Sequence, residues 1–89
     1  MNRILPEQPE VRRRRLQWQC RRGMRELDEL LHAFMDTSYD GMDSNGLRSF
    51  EALLDYPDSL LLELLMGRMT AADRDVARIV REIRNAALA

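Results

Sequence analysis

Apolar residues recur at helical spacing along most of the chain, and no segment shows convincing strand-like alternation. Three stripes at the i, i+3, i+4, i+7 spacing lie within residues 27–35, 47–54 and 76–87. Each stripe would line one face of a helix and needs a partner surface to bury it. A fourth segment, residues 60–66, is rich in leucine and has almost no polar face, so we expect it at the centre of the core. The sequence therefore predicts an all-α fold.

Turn-forming and capping residues between the stripes mark the helix ends. Asp43 or Ser44 is expected to cap the helix that holds the second stripe. Pro57 ends that helix and opens the next one, and Gly67 stops the leucine-rich segment. Thr70 is expected to cap the last helix. Together with a first helical segment near the N-terminus, this punctuation predicts a small five-helix bundle.

The length of 89 residues allows a single small domain. We expect residues 1–10 to form a flexible N-terminal segment and residues 11–89 to form the helical bundle. No uninterrupted apolar run exceeds four residues, far fewer than the ~20 that a membrane-spanning helix needs. We therefore expect no stable membrane insertion, and we expect a monomer.

The first helical segment has the least regular pattern. At about 100° per residue, Arg15, Trp18 and Arg22 share one face, while Leu16 and Cys20 lie nearly opposite. One interpretation folds Trp18 back against the bundle, with the arginine side chains extended around it. The other exposes Trp18 in an aromatic and arginine-rich contact surface, a composition favoured at interface hot spots. Periodicity alone does not decide between them.

The composition excludes several catalytic chemistries. All 14 basic residues are arginine, so no lysine is available to form a Schiff base or to act as a general base. Cys20 is the only cysteine and His32 the only histidine. An internal disulfide and a cysteine-based zinc site are therefore excluded, and any Ser-His-Asp triad would depend on His32. We expect an inert buried thiol at Cys20, no metal site, and no enzyme activity of the chain itself.

The distribution of charge is more informative than the net charge of −1. Residues 1–25 hold eight arginines and two glutamates, whereas residues 26–63 hold ten acidic residues and one arginine. Such polarity orients the encounter with a partner. The run Arg12–Arg15 suggests nucleic-acid binding, but its members spread around a helix, and acidic residues predominate in the rest of the chain. We therefore expect no nucleic-acid partner.

The link between the first and second helices reads Arg-Arg-Gly-Met-Arg-Glu. In a structural interpretation, Gly23 is the N-cap of the second helix, and Glu26 reaches back to its backbone N–H. In a functional interpretation, Gly23 lets a partner approach the backbone closely. The other contact residues are then Arg22, Met24, Arg25 and Glu26. The residues by themselves leave both interpretations open.

The run RLQWQCRRGMRELD resembles the signature of the SdhE family of bacterial and mitochondrial assembly factors. The hallmark of that family, Arg-Gly-x-x-Glu, is matched by Arg22, Gly23 and Glu26. Arg15 and Trp18 match an arginine and a tryptophan that precede it. The similarity continues more loosely to the last helix, so it covers nearly all of the chain from its first helix onward.

The resemblance implies a five-helix bundle with an assembly function. Members of the family promote covalent FAD attachment to the flavoprotein subunit of succinate dehydrogenase and, in bacteria, of fumarate reductase. The chain would dock through residues 22–26 near the flavin site of that subunit, as a chaperone-like factor. The partner's own histidine would then attack the flavin 8-methyl group, so this chain would supply orientation and no reacting group. It would hold no cofactor of its own and would act on the FAD of its partner.

Two other functions stay open as alternatives. One is an antitoxin or adaptor opposite a small membrane protein, and the other, less favoured, is an arginine-rich nucleic-acid-binding protein. The N-terminus is Arg-rich like a mitochondrial presequence, but it contains Glu7 and Glu10, lacks serine, and runs into the motif by Arg22. We therefore expect a protein of the bacterial cytoplasm.

Overall fold

The computed structural model describes residues 6–88, which form five α-helices and one short 3₁₀ turn. In chain order the elements are α1 Pro9–Gln19, α2 Arg25–Ser38, the 3₁₀ turn Tyr39–Gly41, α3 Ser44–Leu54, α4 Asp58–Leu65 and α5 Arg74–Leu88. No strand occurs within the described residues. The predicted all-α fold and the five-helix bundle are confirmed.

Helix α1 begins at Pro9, where the fixed φ of proline and its missing N–H suit the first turn of a helix. Residues 1–5 and residue 89 lie outside the described part of the chain. The division into a flexible segment, residues 1–10, and a bundle, residues 11–89, therefore stays a prediction, although the last two residues of that segment belong to α1.

The core is built from the apolar faces of the helices. Its buried side chains are Leu16, Cys20, Leu27, Leu31, Phe34, Met35, Phe50, Leu53, Leu54, Leu61, Leu64, Leu65, Val76, Ile79, Val80 and Ile83. The Phe34 and Phe50 rings pack with their centroids 5.1 Å apart, which joins α2 to α3. Leu61, Leu64 and Leu65 of α4 are buried, as predicted for the leucine-rich segment. No helix in the described chain is both long enough and apolar enough to cross a bilayer.

Most helix ends follow the local sequence. Asp43 caps α3, and its Oδ1 accepts a hydrogen bond from the Gly46 N–H at 2.7 Å. Pro57 directly precedes α4, and Gly67 adopts φ +78° just after that helix ends. A Cβ at Gly67 would lie 2.7 Å from the guanidinium of Arg84. The left-handed backbone therefore favours glycine at this turn, whereas the exposed Arg84 side chain could move to make room for a Cβ.

The N-cap of α5 is Asp73, and the prediction of Thr70 was wrong. The helix begins at Arg74. The Oδ1 of Asp73 accepts hydrogen bonds from the N–H groups of Asp75 at 2.8 Å and Val76 at 3.1 Å. Thr70 is exposed and lies outside the first turn. Its hydroxyl is too far along the chain to satisfy the free N–H groups that a cap must serve.

The substitution Asp73→Ala is expected to lower the free energy of unfolding by about 1 kcal/mol. Two N–H groups at the start of α5 would lose their acceptor. Thr70→Ala is the matched control, and it should change the free energy of unfolding by less than about 0.5 kcal/mol. Urea denaturation followed by far-UV circular dichroism measures both variants. Equal effects of the two would contradict the assignment of Asp73 as the cap.

Candidate functional site

The loop between α1 and α2 makes a left-handed turn at Gly23. This residue has φ +81°, and nothing lies within 4 Å of the position that a Cβ would occupy. Glycine is therefore required here by the backbone conformation and not by lack of space. Helix α2 begins at Arg25 with Met24 as its N-cap. The prediction that Gly23 is the N-cap was wrong, because the glycine lies one residue before it.

Asp28, and not Glu26, satisfies the backbone of this loop. The Oδ1 of Asp28 accepts a hydrogen bond from the Arg22 N–H at 2.7 Å. The N–H of Asp28 donates to the Met24 carbonyl at 2.8 Å. Glu26 is exposed and does not reach back to Gly23, so the capping-box interpretation was wrong. The Asp28 side chain therefore fixes the loop to the first turn of α2.

Arg22 points into the protein, where its guanidinium has four hydrogen-bond partners. Only 16% of its side chain is exposed. Its Nε donates to Asp58 Oδ1 at 2.7 Å, and its Nη2 donates to the Tyr56 carbonyl at 2.9 Å. Its Nη1 donates to the carbonyls of Gln19 at 3.0 Å and Leu54 at 2.9 Å. The guanidinium thus joins the α1–α2 loop to the turn between α3 and α4.

The interpretation that Arg22 shares one outer face with Trp18 was wrong. It assumed a continuous helix to residue 22, with about 100° of rotation per residue. Helix α1 ends three residues earlier, at Gln19, and the chain then turns. Arg22 therefore does not share the outer face of Trp18, and its guanidinium reaches the turn between α3 and α4. Its role in docking stays a prediction.

Arg15 anchors α1 to its surroundings. Its Nε and Nη2 donate to the two carboxylate oxygens of Glu7 at 2.8 and 2.9 Å. Its Nη1 donates to Gln19 Oε1 at 3.0 Å, and its Nη2 also contacts Glu51 of α3. The hydrogen bond from Arg15 lowers the pKa of Glu7. A partner that used this guanidinium would compete with internal carboxylates, so the predicted docking role of Arg15 stays a prediction.

Trp18 is 69% exposed, which excludes the interpretation that it folds back against the bundle, while its role as a contact residue stays a prediction. The guanidinium of Arg21 lies 5.7 Å from the ring centroid, within cation–π range. Arg14, Gln17 and His32 complete an open groove of about 430 Å³ beside the ring. We call this groove, which is lined by Arg14, Gln17, Trp18, Arg21 and His32, the Trp18 groove.

The remaining predicted contact residues lie together at the start of α2. They are Gly23, Met24, Arg25 and Glu26, and we call them the Gly23 loop. All are exposed except Met24, which is half-buried against the core. The side chain of Arg25 is 87% exposed, and its contact with Glu29 spans 3.6 Å, so this pair contributes little to stability. The Gly23 loop therefore offers open backbone, one cation and one carboxylate to a partner.

The single cysteine and the single histidine both make internal contacts. Cys20 is fully buried, and desolvation raises the pKa of its thiol to about 12. The thiol is therefore protonated at neutral pH and unreactive, as predicted. His32 donates from Nδ1 to the Asp28 carbonyl at 2.7 Å. Within residues 6–88, no three His, Cys, Asp or Glu side chains are grouped to hold a metal ion.

Sequence reasoning missed four residues that build this region. Asp28 and Asp58 hold the loop in place, and Arg14 and Arg21 line the Trp18 groove. A signal for the second pair was present, because Arg14 lies at i−4 and Arg21 at i+3 from Trp18, the spacing of neighbours on a helix surface. No local pattern identifies Asp58, which meets the loop only through the tertiary fold.

Comparisons with known proteins identify relatives along most of the chain. A family model described as flavinator of succinate dehydrogenase matches residues 14–87. The FAD assembly factor SdhE of Coxiella burnetii is 39% identical over 70 residues, which cover 79% of this chain and 85% of that protein. The protein of the same name from Legionella pneumophila (strain Paris) is 42% identical over 71 residues, covering 80% and 89%. The one from Idiomarina loihiensis is 38% identical over 69 residues, covering 78% and 77%.

Proposed function

Because this chain belongs to the family described as flavinator of succinate dehydrogenase, we propose that it is an FAD assembly factor that binds the flavoprotein subunit of succinate dehydrogenase. The observation that carries this proposal is the family match over residues 14–87, which includes both the Gly23 loop and the Trp18 groove. The relatives are named as assembly factors and not as enzymes. These names agree with the prediction that the chain is not an enzyme.

The Gly23 loop is the proposed docking surface on the flavoprotein. Its backbone is exposed at Gly23, and it is held from behind by Arg22 and Asp28. A loop fixed in one conformation before binding loses little conformational entropy when it docks. It can therefore hold a partner in a defined arrangement, which is what an assembly factor contributes to a reaction carried out by its partner.

FAD belongs to the partner in this proposal, and this chain holds no cofactor of its own. The covalent bond forms between the flavin and a side chain of the flavoprotein, so no group of this chain reacts. The buried Cys20 thiol, whose pKa is raised to about 12, is not available as a nucleophile. We extend the proposal to the fumarate reductase flavoprotein as a second partner, and to a monomeric factor in the bacterial cytoplasm.

The experiment that tests this function is complementation of a strain from which the gene is deleted. Covalent flavin in the succinate dehydrogenase flavoprotein is measured by in-gel fluorescence under denaturing conditions, which remove non-covalent FAD. We expect the fluorescence to fall strongly in the deletion strain and to return with the wild-type chain. Arg74→Ala, an exposed position away from the loop, should restore it equally. Unchanged fluorescence in the deletion strain would contradict the function, and a growth defect without such a change would favour the adaptor alternative.

A further inference from the structure

The arginines at the N-terminal end of the bundle fall into two groups. Four of the six between residues 12 and 22 contact a carboxylate of this chain: Arg12 and Arg15 contact Glu7, Arg13 contacts Asp40, Arg15 also contacts Glu51, and Arg22 contacts Asp58. Within residues 6–88, Arg14 and Arg21 have no such partner. These two are exposed. Their charge is therefore available to a group outside this chain.

The two unpaired arginines flank Trp18. They line the Trp18 groove together with the indole ring, and no acidic side chain lies among the residues that form it. The guanidinium of Arg21 lies over the Trp18 ring, 5.7 Å from its centroid, which holds one cation against one face of the indole and leaves the other face for an apolar contact. The groove thus combines a flat aromatic ring with two cations, and its chemistry suits a carboxylate next to an apolar side chain.

We propose that the Trp18 groove binds an acidic segment of a partner protein, with a carboxylate between Arg14 and Arg21 and an apolar side chain on the Trp18 ring. This inference rests on the proposed function, so the segment belongs to the flavoprotein subunit. A specific interface buries about 800 Å² on each partner and involves about 20–30 residues a side. The four residues of the Gly23 loop cannot supply that area. Arg21 of the groove lies two residues before Gly23 along the chain, so a partner that docks on the loop is close to the groove.

A protein segment fits this groove better than a phosphate polymer. Residues 26–63 hold ten acidic residues and one arginine, which would repel an extended phosphate backbone that ran past the groove. The other arginines of α1 are neutralised internally by the contacts described above. Between residues 12 and 22, the positive charge without an internal partner is therefore confined to Arg14 and Arg21, a short site that suits one or two acidic side chains. Exposed tryptophan and arginine are also the residues enriched at the centres of protein interfaces.

The test is binding of the FAD-free flavoprotein subunit to the wild-type chain and to Arg14→Glu/Arg21→Glu, measured by biolayer interferometry over a series of NaCl concentrations. Wild-type affinity should fall as salt rises. The double reversal should weaken binding at least about tenfold at low salt and flatten the salt dependence. Trp18→Ala should weaken binding about tenfold and keep the salt dependence. Far-UV circular dichroism checks that both variants are folded.

The matched control is Arg48→Glu/Arg74→Glu. Both residues are exposed and lie outside the groove, and the change in net charge is the same as in the double reversal. The affinity of this control for the subunit should stay within about threefold of the wild-type value. Charges outside the contact surface act on the partner only through long-range electrostatic fields, which salt screens. If the control weakens binding as much as the double reversal does, the effect is one of net charge, and the groove is not the site.

The remaining outcomes separate the groove from the proposed function. If the wild type binds the flavoprotein and the double reversal binds equally well, the groove inference is wrong and the function stands. If the wild type does not bind at all, both the inference and the proposed function fail.

Trp18 is the only tryptophan, so its fluorescence reports on the groove. A saturable change with inorganic phosphate or pyrophosphate, lost in the double reversal, would assign the groove to a small anion and overturn the inference. If neither anion changes the fluorescence in this way, the inference is supported.

Discussion

Replacing Gly23 by arginine is expected to abolish binding of the flavoprotein subunit and to leave the helical circular dichroism signal close to that of the wild type. The fold tolerates the change because nothing lies within 4 Å of a Cβ at this position. The left-handed backbone at φ +81° adds a strain of about 1–2 kcal/mol for any non-glycine residue. The long cationic side chain would then cover the open backbone that a partner must approach.

The expected loss of affinity is at least about a hundredfold, or about 3 kcal/mol, since a clash at the contact surface cannot be relieved without moving the loop. In cells, covalent flavin in the succinate dehydrogenase flavoprotein should fall to the level of the deletion strain. Binding is measured with the purified FAD-free subunit, and flavinylation by in-gel fluorescence.

Gly23→Asn is the matched control for backbone strain. Asparagine adopts the left-handed region more readily than other non-glycine residues, and its side chain is short. Both variants should lose stability in urea denaturation, the asparagine variant less than the arginine variant, but only the arginine variant should lose binding. If both variants bind the subunit equally weakly, the loss of affinity comes from backbone strain and not from coverage of the loop by the arginine side chain. If the arginine variant binds like the wild type, the Gly23 loop is not the docking surface.

The helices could be predicted from the sequence because their apolar residues recur at the spacing that a core requires. The cap of α3 could be narrowed to Asp43 or Ser44 because the second stripe starts shortly afterwards, at Leu47, and the structure has Asp43. The start of α5 was misplaced because Thr70-Ala-Ala-Asp73 has the spacing of a capping box. Two alanines between a threonine and an aspartate are as compatible with a loop as with a first turn, and the third stripe, which starts at Val76, fits a helix that begins at either place.

The residues of the candidate site could be predicted from the sequence, but the directions in which their side chains point could not. The motif pattern placed Gly23 and Glu26 at an exposed junction, where the structure has them. It could not show that Arg22 turns inward, because three of the four partners of its guanidinium lie 32 to 36 residues away, at the α3–α4 turn. Two of those partners are backbone carbonyls, at Leu54 and Tyr56, which leave no trace in the side-chain pattern. Only the packed fold brings them together.

Replacing Arg22 by alanine is expected to lower the free energy of unfolding by about 2–4 kcal/mol. The substitution removes four hydrogen bonds and leaves part-buried carbonyls of Leu54 and Tyr56, and the Asp58 carboxylate, without their donor. For a domain of this size the midpoint of thermal unfolding should drop by about 10–25 °C. Thermal and urea denaturation followed by circular dichroism measure the effect. Arg21→Ala, at the exposed neighbour, should change stability by less than about 0.5 kcal/mol.

Arg22→Lys separates the geometry of the side chain from its charge. Lysine keeps the cation near Asp58 but cannot direct a planar fork to the carbonyls of Leu54 and Tyr56 as well. It should therefore recover only part of the stability lost in Arg22→Ala. If Arg22 acts by holding the loop, variants at this position should lose stability and binding in parallel. Gly23→Arg should instead lose binding with no more loss of stability than the strain of about 1–2 kcal/mol at its left-handed backbone. An Arg22→Ala protein with wild-type stability and no binding would instead make Arg22 a direct contact, because the internal hydrogen bonds would then contribute nothing to the fold.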